Sequence, residues 1–272
     1  MSRIKQYFDR LLSIIGTQSV RLLPGNIAFF LVLSLFPLLT LIGILATQLG
    51  VSNDGLINII DSSLPNSVSS ILDMYIQGKG FDTNIGIFML IGFILASNGA
   101  HSIIIASNSL YGFPNSNYLK RRVKSVFIIM LLIIMFIFML GFVAFGNYIV
   151  SYIISNIEDI HTSKLIYNLF NILKWPFSAL IIFLNVKLIY IIAPDWKVPS
   201  SHTTKGAIFT TILWILIVRL YSYWVTNFVN YDLFYGSLSN IAILMILTYF
   251  ISYVLVIGIA INVRSYEYKI ED

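Results

Sequence analysis

The stretch NIAILMILTYFISYVLVIGIAINV, residues 240–263, contains no Asp, Glu, Lys or Arg. An apolar helix needs about 20 residues to cross a bilayer core of roughly 30 Å, so this stretch is long enough to span a membrane. Five further stretches carry either none of these four residue types or one cation each: residues 22–53, 83–119, 125–157, 175–194 and 206–231. The chain is therefore predicted to be an integral membrane protein.

The composition leaves little sequence for anything outside the bilayer. Of the 272 residues, 58% are hydrophobic and 11% are charged, whereas about a quarter of the residues of a soluble domain are charged. We therefore predict a single transmembrane domain over residues 1–272, with no large soluble catalytic domain. The absence of Cys excludes disulfides, thiolate metal sites and Cys nucleophiles, and we expect neither a metal nor a cofactor.

The apolar segments predict an all-α, polytopic membrane fold. Its six transmembrane helices cover about residues 26–49, 85–107, 124–150, 172–193, 206–229 and 240–263. Lys and Arg set the orientation, because cytoplasmic loops carry an excess of them. Twelve of the 17 cations fall on one predicted face, which indicates that both termini are cytoplasmic: Arg3, Lys5, Arg10, Arg21, Lys120, Arg121, Arg122, Lys124, Lys197, Lys205, Arg264 and Lys269. Their attraction to anionic lipid explains the net charge of +5, so no nucleic-acid partner is expected.

Two segments outside the spans have apolar residues at helical spacing. The first predicts an N-terminal amphipathic helix in the cytoplasmic interface, with an apolar face formed by Ile4, Phe8, Leu11, Leu12 and Ile15. The second, residues 53–82 of the first extracytoplasmic loop, predicts short helices that cap the outer surface and are interrupted at Pro65. The alternative for this second segment is an ordinary connecting loop.

Arg219 is a candidate ligand-binding residue because of its depth in the membrane. It lies about thirteen residues, or about 20 Å, from the cytoplasmic end of its span, which is too far for easy snorkelling. Ser222 and Tyr223 follow at three and four residues, on the same helical face. Ionisable residues at such depth are expected to be functional. The alternative is a structural brace, in which carbonyls and hydroxyls of neighbouring helices hold Arg219.

Lys187 is the other cation within a span. It lies seven residues before Pro194, so its side chain either snorkels to the cytoplasmic interface or lines a cavity. No Asp or Glu occurs within any predicted span, and Arg219 therefore has no carboxylate partner there. An anionic headgroup or solute would neutralise it better than carbonyls and hydroxyls alone.

Polar residues on the second span form a further candidate group. Asn98, His101 and Asn108 share one helical face. Such residues often join transmembrane helices by hydrogen bonds, and the alternative is contact with a ligand or proton transfer through His101. In the first span, Pro37 removes one backbone hydrogen bond and predicts a kink.

Four segments in this order and spacing resemble the YihY/BrkB family of bacterial inner-membrane proteins. They are AFFLVLSLFPLLTLIG (Ala28 to Gly43), SNSLYGF (Ser107 to Phe113), IAPDWKVPSSHTTKGAIFTTILW (Ile192 to Trp214) and YGSLSNIAIL (Tyr235 to Leu244). The resemblance implies six transmembrane helices with both termini inside. The family commonly carries a Glu in its last span, whereas residues 258–262 read GIAIN. A proton or cation role for that Glu is therefore not carried over.

The family also bears an old label, ribonuclease BN, which the residues of this chain argue against. Hydrolysis of RNA usually needs carboxylates gathered around metal ions. The acidic residues of the predicted cytoplasmic face are scattered over three segments, and the three His residues are dispersed: Asp9, Asp195, Glu267, Glu271 and Asp272, with His101, His161 and His202. We therefore expect no enzymatic activity.

The first functional hypothesis is a transporter or flippase of the bacterial cytoplasmic membrane. It would move an anionic, phosphate-bearing lipid or solute through a cationic cavity. The predicted ligand-binding residues are Arg219, Lys187, Asn98, His101, Ser222 and Tyr223. The alternative is a non-transporting scaffold or regulator of envelope assembly.

Overall fold

The computed structural model describes residues 9–33 apart from 11 and 19, residues 85–228 apart from 158, and residues 239–271. This part of the chain consists of helices joined by short turns and contains no strand, which confirms the predicted all-α class there. The longer helices of this part of the chain are α1 (Val20–Leu33), α2 (Ile85–Tyr111), α3 (Tyr118–Ser155), α4 (Ile160–Ile192), α5 (Ser200–Phe228) and α6 (Ser239–Glu271).

The helices extend beyond the predicted spans. Among the described residues, three helices are long and apolar enough to cross a membrane, namely α4, α5 and α6, and α1 is a shorter apolar helix. Helix α3 begins six residues before the predicted span 124–150, and α6 runs eight residues past residue 263. The predicted spans end where the apolar segment ends. The helices continue further, because Lys, Arg and Glu favour helical structure. That the chain crosses the membrane six times stays a prediction.

Several predictions from the sequence fall on residues outside the described part of the chain. They are the short helices of residues 53–82, the second half of the first span with Pro37, and residues 1–8. Of the predicted amphipathic N-terminal helix, residues 9–10 and 12–15 are described, and they are helical. Leu12 is exposed there and Ile14 is buried.

Consecutive helices pack against each other from α2 to α6, and α6 also contacts α2. The main hydrophobic core contains Ile27 from α1, Ile104 from α2, Ile128 from α3, Tyr190 from α4 and Ile259 from α6. These positions lie in the second half of α2 and the first half of α3, and near the end of α4. The core therefore sits toward the end of the bundle that the sequence predicts to be cytoplasmic.

The first and last described segments meet at this same end. Arg10 donates two hydrogen bonds to the carboxylate of Glu267, at 2.9 Å from NH2 to Oε1 and 3.2 Å from Nε to Oε2. Nη1 of Arg264 lies 3.8 Å from Oε2 of the same carboxylate. Val20 of α1 and Val263 of α6 belong to the same core. The N-terminal segment is thus attached to the last helix by both an ion pair and apolar contacts.

Two glycines allow α5 and α6 to approach closely. The backbone N–H of Gly206 donates a hydrogen bond of 2.8 Å to Oδ1 of Asn262. A Cβ at Gly206 would collide with the backbone carbonyl of Gly258 and with the Asn262 side chain. A Cβ at Gly258 would collide with the hydroxyls of Tyr190 on α4 and Thr210 on α5. The Tyr190 hydroxyl donates to the carbonyl of Leu255 at 2.8 Å.

Gly206→Ala is expected to destabilise the protein, because its Cβ would meet backbone that cannot move aside. Forcing an extra methyl into a packed site costs roughly 1–3 kcal/mol. The measurement is thermal unfolding of the purified protein in detergent. Gly25→Ala is the control, since Gly25 has nothing within 4 Å of the position of a Cβ. Equal melting temperatures for the two variants would contradict the close approach of α5 and α6.

The predicted topology can be tested at the two ends of α3, because the chain has no Cys and a single introduced thiol is unique. Asn117 precedes α3 and Asn156 follows it, and both are exposed. We expect an impermeant maleimide to label Asn156→Cys in intact cells and Asn117→Cys only after the membrane is opened. Labelling of Asn117→Cys from outside would overturn the predicted orientation.

Candidate functional site

A buried carboxylate lies in the turn between α4 and α5. Helix α4 ends at Ile192, because Pro194 cannot supply the N–H that a further helical turn needs. Helix α5 begins at Ser200, directly after Pro199. Asp195 lies between the two prolines, and only 2% of its side chain is exposed. An ionised carboxylate at that burial requires hydrogen-bond partners.

Asp195 receives hydrogen bonds from three parts of the chain. Nδ2 of Asn108, on α2, donates to Oδ2 at 2.7 Å, and the backbone N–H of Asp195 donates back to Oδ1 of Asn108 at 2.8 Å. The backbone N–H of Ser116 donates to Oδ2 at 3.0 Å. Nζ of Lys124, on α3, lies 3.1 Å from Oδ1 and also donates to the carbonyl of Pro194. These contacts, the Asp195 network, join α2, α3 and the α4–α5 turn.

The end of α2 explains how Asn108 and Ser116 reach the same carboxylate. Gly112 has a φ of +68°, which favours glycine because L side chains rarely adopt it. The N–H of Phe113 bonds to the carbonyl of Asn108 at 2.9 Å, a closure typical of helix C-termini that reverse at such a glycine. The chain therefore turns back at once, and residues 113–117 lie beside the last turn of α2.

The hydrogen bonds keep Asp195 ionised. Burial on its own would raise the pKa of this carboxyl group, but the bonds donated by Ser116, Asn108 and Lys124 outweigh burial and lower the pKa to about 2. Because Lys124 lies against the carboxylate, the pair is a buried ion pair at neutral pH. Hydrogen bonds from these partners satisfy the Asp195 carboxylate. The Asp195 network is therefore suited to holding the helices together.

A second line of polar contacts joins α2 to α3. Oγ of Ser97 lies 3.0 Å from Oγ of Ser125. Oδ1 of Asn98, the next residue on α2, accepts a hydrogen bond from Arg122, which lies nearly one turn before Ser125 on α3. Next along α2, the ring of His101 meets the ring of Tyr118 edge to face, with centroids 5.9 Å apart. Asn98 and His101, both predicted ligand-binding residues, are thus brought to the basic first turns of α3.

Arg219 is exposed on the surface of the described part of the chain. Its guanidinium carbon lies 4.2 Å from the centroid of the Trp175 ring on α4, in a cation–π contact. Trp175 is itself 60% exposed, so the pair faces outward from the bundle. Ser222 is half-buried and Tyr223 exposed, both on the same helix as Arg219.

Lys187 is half-buried, and its Nζ lies 5.7 Å from the centroid of the Phe183 ring, one turn away on α4. Twelve residues separate Lys187 from Trp175, which is about 18 Å along the helix at 1.5 Å per residue. Arg219 stacks on Trp175, so Lys187 does not share its immediate surroundings. The predicted ligand-binding residues therefore fall into separate regions, with Asn98 and His101 in one and Arg219, Ser222 and Tyr223 in another.

The sequence does not predict the Asp195 network. In the sequence, Asp195 is one of several scattered acids, and Lys124 is one of the cations expected to attract anionic lipid. A pair of residues 71 positions apart leaves no periodic pattern. One signal was present, since Asn108 shares a face of α2 with Asn98 and His101. Within the described ranges, no three His, Asp or Glu side chains come together in a way that could hold a metal ion.

The comparisons with known proteins cover all of these helices. A family model described as "Virulence factor BrkB" matches residues 11–272. The chain belongs to this family. A relative named ribonuclease-like protein YfkH, from Bacillus subtilis (strain 168), is 28% identical over 274 residues, which is 99% of this chain and 97% of the relative. A UPF0761 membrane protein from Vibrio campbellii (strain ATCC BAA-1116) is 29% identical over 268 residues, covering 93% of this chain and 79% of the relative. No solved structure matches the chain.

Family membership agrees with the resemblance found in the sequence. The described apolar helices and the UPF0761 relatives together indicate a membrane protein. The match of the BrkB-family model includes Arg219 as well as the Asp195 network.

Asp195→Asn is expected to lower the free energy of unfolding at pH 7, because Lys124 would remain buried without its carboxylate. The folded pKa of about 2 lies below an unfolded value of about 3.9, so the carboxylate stabilises the fold above that unfolded value. This contribution, about 2–3 kcal/mol, is lost as the pH falls toward 2. Wild type should therefore lose more stability than Asp195→Asn between pH 5 and pH 2.

Thermal or denaturant unfolding in detergent across that pH range is the measurement. Asp9→Asn is the control, because it removes an exposed carboxylate of the N-terminal segment that makes no hydrogen bond or ion pair to the described residues. Parallel pH profiles for wild type and Asp195→Asn would show that the network contributes nothing measurable.

Proposed function

We propose that the protein is a transporter or flippase that moves an anionic, phosphate-bearing lipid or solute across the bacterial cytoplasmic membrane. The observation that carries this proposal is the exposed Arg219–Trp175 pair. Arg219 lies on α5, a helix long and apolar enough to cross a membrane, and its contact among the described residues is an indole ring. A guanidinium on the outside of an apolar helix requires compensation for its charge.

An anionic lipid supplies that compensation better than the indole does. Cation–π attraction is worth about 2 kcal/mol when desolvated, but it leaves the positive charge in place. A phosphate group neutralises the charge and accepts two parallel hydrogen bonds from the guanidinium. Because the pair faces outward, a lipid could approach it sideways from the bilayer. This favours a phosphate-bearing lipid over a water-soluble anion.

The other predicted residues fit the same function at other depths. Asn98 and His101 lie beside the basic first turns of α3, at the predicted cytoplasmic end. Lys187 lies between this end and the level of Trp175 along α4. An anion moving along the bundle would thus pass from one cationic region to the next. Ser222 and Tyr223 would supply hydrogen bonds near Arg219.

The alternative is a non-transporting scaffold or regulator of envelope assembly. The contact of Arg219 with Trp175 joins α5 to α4, so it can act as a brace without any ligand. The Asp195 network likewise joins helices and needs no cargo. Under this alternative, replacing Arg219 would change stability and leave lipid movement unaffected.

We also propose that the protein is not a ribonuclease, although one relative is named ribonuclease-like. Two of the predicted cytoplasmic carboxylates are engaged by cations: Asp195 by Lys124, and Glu267 by Arg10 and Arg264. Carboxylates held in ion pairs are poorly placed to bind the metal ions that hydrolysis of RNA usually needs. Metal-dependent RNA cleavage by the purified protein that disappears in Asp195→Asn would contradict this proposal.

Arg219→Gln is expected to slow lipid movement about tenfold, since a charge-assisted hydrogen bond contributes about 1.5–3 kcal/mol and 1.4 kcal/mol is a factor of ten. The measurement is exchange of fluorescent phosphatidylglycerol between leaflets of proteoliposomes, with phosphatidylcholine as the zwitterionic comparison. Arg219→Lys should keep part of the rate, because it retains the charge and loses the planar fork.

Lys205→Gln is the matched control, since Lys205 is an exposed cation on the same helix, four turns from Arg219. Mass spectrometry of lipids that co-purify with wild type and Arg219→Gln gives an independent readout. Loss of an anionic lipid in Arg219→Gln alone would support the flippase. Wild-type protein that neither moves nor retains anionic lipid would favour the scaffold.

A further inference from the structure

The start of α3 carries more positive charge than its surroundings compensate. Lys120, Arg121, Arg122 and Lys124 fall within five residues. Lys124 is paired with Asp195. Arg121 and Arg122, both half-buried, donate instead to neutral acceptors. NH1 of Arg121 donates to the carbonyl of Ser116 at 2.8 Å, and NH1 of Arg122 donates to the side-chain oxygen of Asn98. Among the described residues, neither guanidinium has a carboxylate partner.

Arg121 and His101 each bury a polar atom that lacks a hydrogen-bond partner among the described residues. These atoms are Nε of Arg121 and Nε2 of His101. Buried polar groups in folded proteins are nearly always paired, so each such atom calls for an explanation. Nε of Arg121 can only donate, and Nε2 of His101 donates in one tautomer and in the imidazolium form. Both atoms therefore suit an acceptor that comes from outside the chain.

The contacts between α2 and α3 bring these groups to the same part of the interface between the two helices. Asn98 fixes Arg122, and Tyr118 packs against the ring of His101. The charges of Arg121 and Arg122 act on that ring, and so does the opposite charge of Asp195, which is already paired with Lys124. Two arginines and a histidine thus lie in one region, where contacts with Ser116, Asn98 and Tyr118 restrict their movement.

We propose that His101, Arg121 and Arg122 form a binding site for a phosphate group. Phosphate offers several acceptor oxygens and up to two negative charges, which matches two guanidinium groups and an imidazole better than a single carboxylate does. The site lies at the predicted cytoplasmic end of α2 and α3, and it differs from the Arg219–Trp175 pair. It does not depend on the proposed transport activity, since a scaffold could bind phosphate equally well.

Two sources could supply this phosphate. Leu119 and Val123, next to the cations on α3, are 70% and 72% exposed. Exposed apolar side chains beside cations are typical of a membrane surface, where a lipid headgroup would present its phosphate at this level. Free inorganic phosphate from solution has the same chemistry. The experiment must therefore offer both.

The experiment uses the full-length protein in detergent and in lipid nanodiscs. In detergent, the melting temperature is followed as inorganic phosphate is added, with chloride at equal ionic strength as the blank. A ligand that binds the folded state raises the melting temperature in proportion to its affinity. In nanodiscs of phosphatidylcholine with a minor fraction of phosphatidic acid, native mass spectrometry measures which lipid the protein retains.

Arg121→Gln and His101→Gln are expected to weaken phosphate binding by about tenfold or more, because each removes one charge-assisted donor. Lys205→Gln is the matched control, since it removes an exposed cation of the same predicted face that has no described contact with His101, Arg121 or Arg122. If one variant fails to fold, the other provides the same test.

The outcomes separate the two sources and the two proposals. Binding of inorganic phosphate that the site variants lose supports the site, and retention of phosphatidic acid alone, also lost in the variants, supports it with lipid as the source. No binding of either ligand by wild type, or equal binding by wild type and both site variants, overturns it. Failure of the Arg219 variants to affect lipid movement would leave this result unchanged.

Discussion

The carboxylate of Asp195 has to be satisfied within the protein, and the arrangement of three helices follows from that requirement. Its partners come from the last turn of α2, the turn before α3, and the first turns of α3. Removal of any one of these partners leaves a buried charge or a buried amide without its hydrogen bond. Gly112 and Pro194 are explained by the same requirement, since they end α2 and α4 where the chain has to turn toward Asp195.

Charge compensation differs among the cations of the described helices. Lys124 has a carboxylate, whereas Arg122 has an amide and Arg219 an indole ring. In water such differences matter little, because solvent screens exposed charges. In or beside a bilayer they matter more, since the low dielectric strengthens both attraction and the cost of leaving a charge alone. The cations without a carboxylate are therefore the positions where an external anion would have the largest effect.

The sequence predicts the helical class and the membrane character well, because both depend on apolar segment length, which is a local property. Helix ends are predicted less well, since α3 and α6 continue through charged residues beyond the apolar segment. Pairing across the bundle could not be predicted, as the Lys124–Asp195 pair shows. Helical periodicity predicts which residues share a face, as for Asn98 and His101. It does not predict which other helix packs against that face. The outward orientation of Arg219 depends on how α4 and α5 pack, which is a property of two helices together.

The bond between Arg10 and Glu267 has a consequence for synthesis. A ribosome produces the N-terminal segment some 250 residues before its partner, so Arg10 cannot pair with Glu267 until the last helix has been made. Val263, which belongs to the same core as Val20, is made equally late. This end of the bundle therefore closes only after synthesis of the last helix, and a nascent chain stalled before that point would leave the apolar surface around Val20 exposed to proteases.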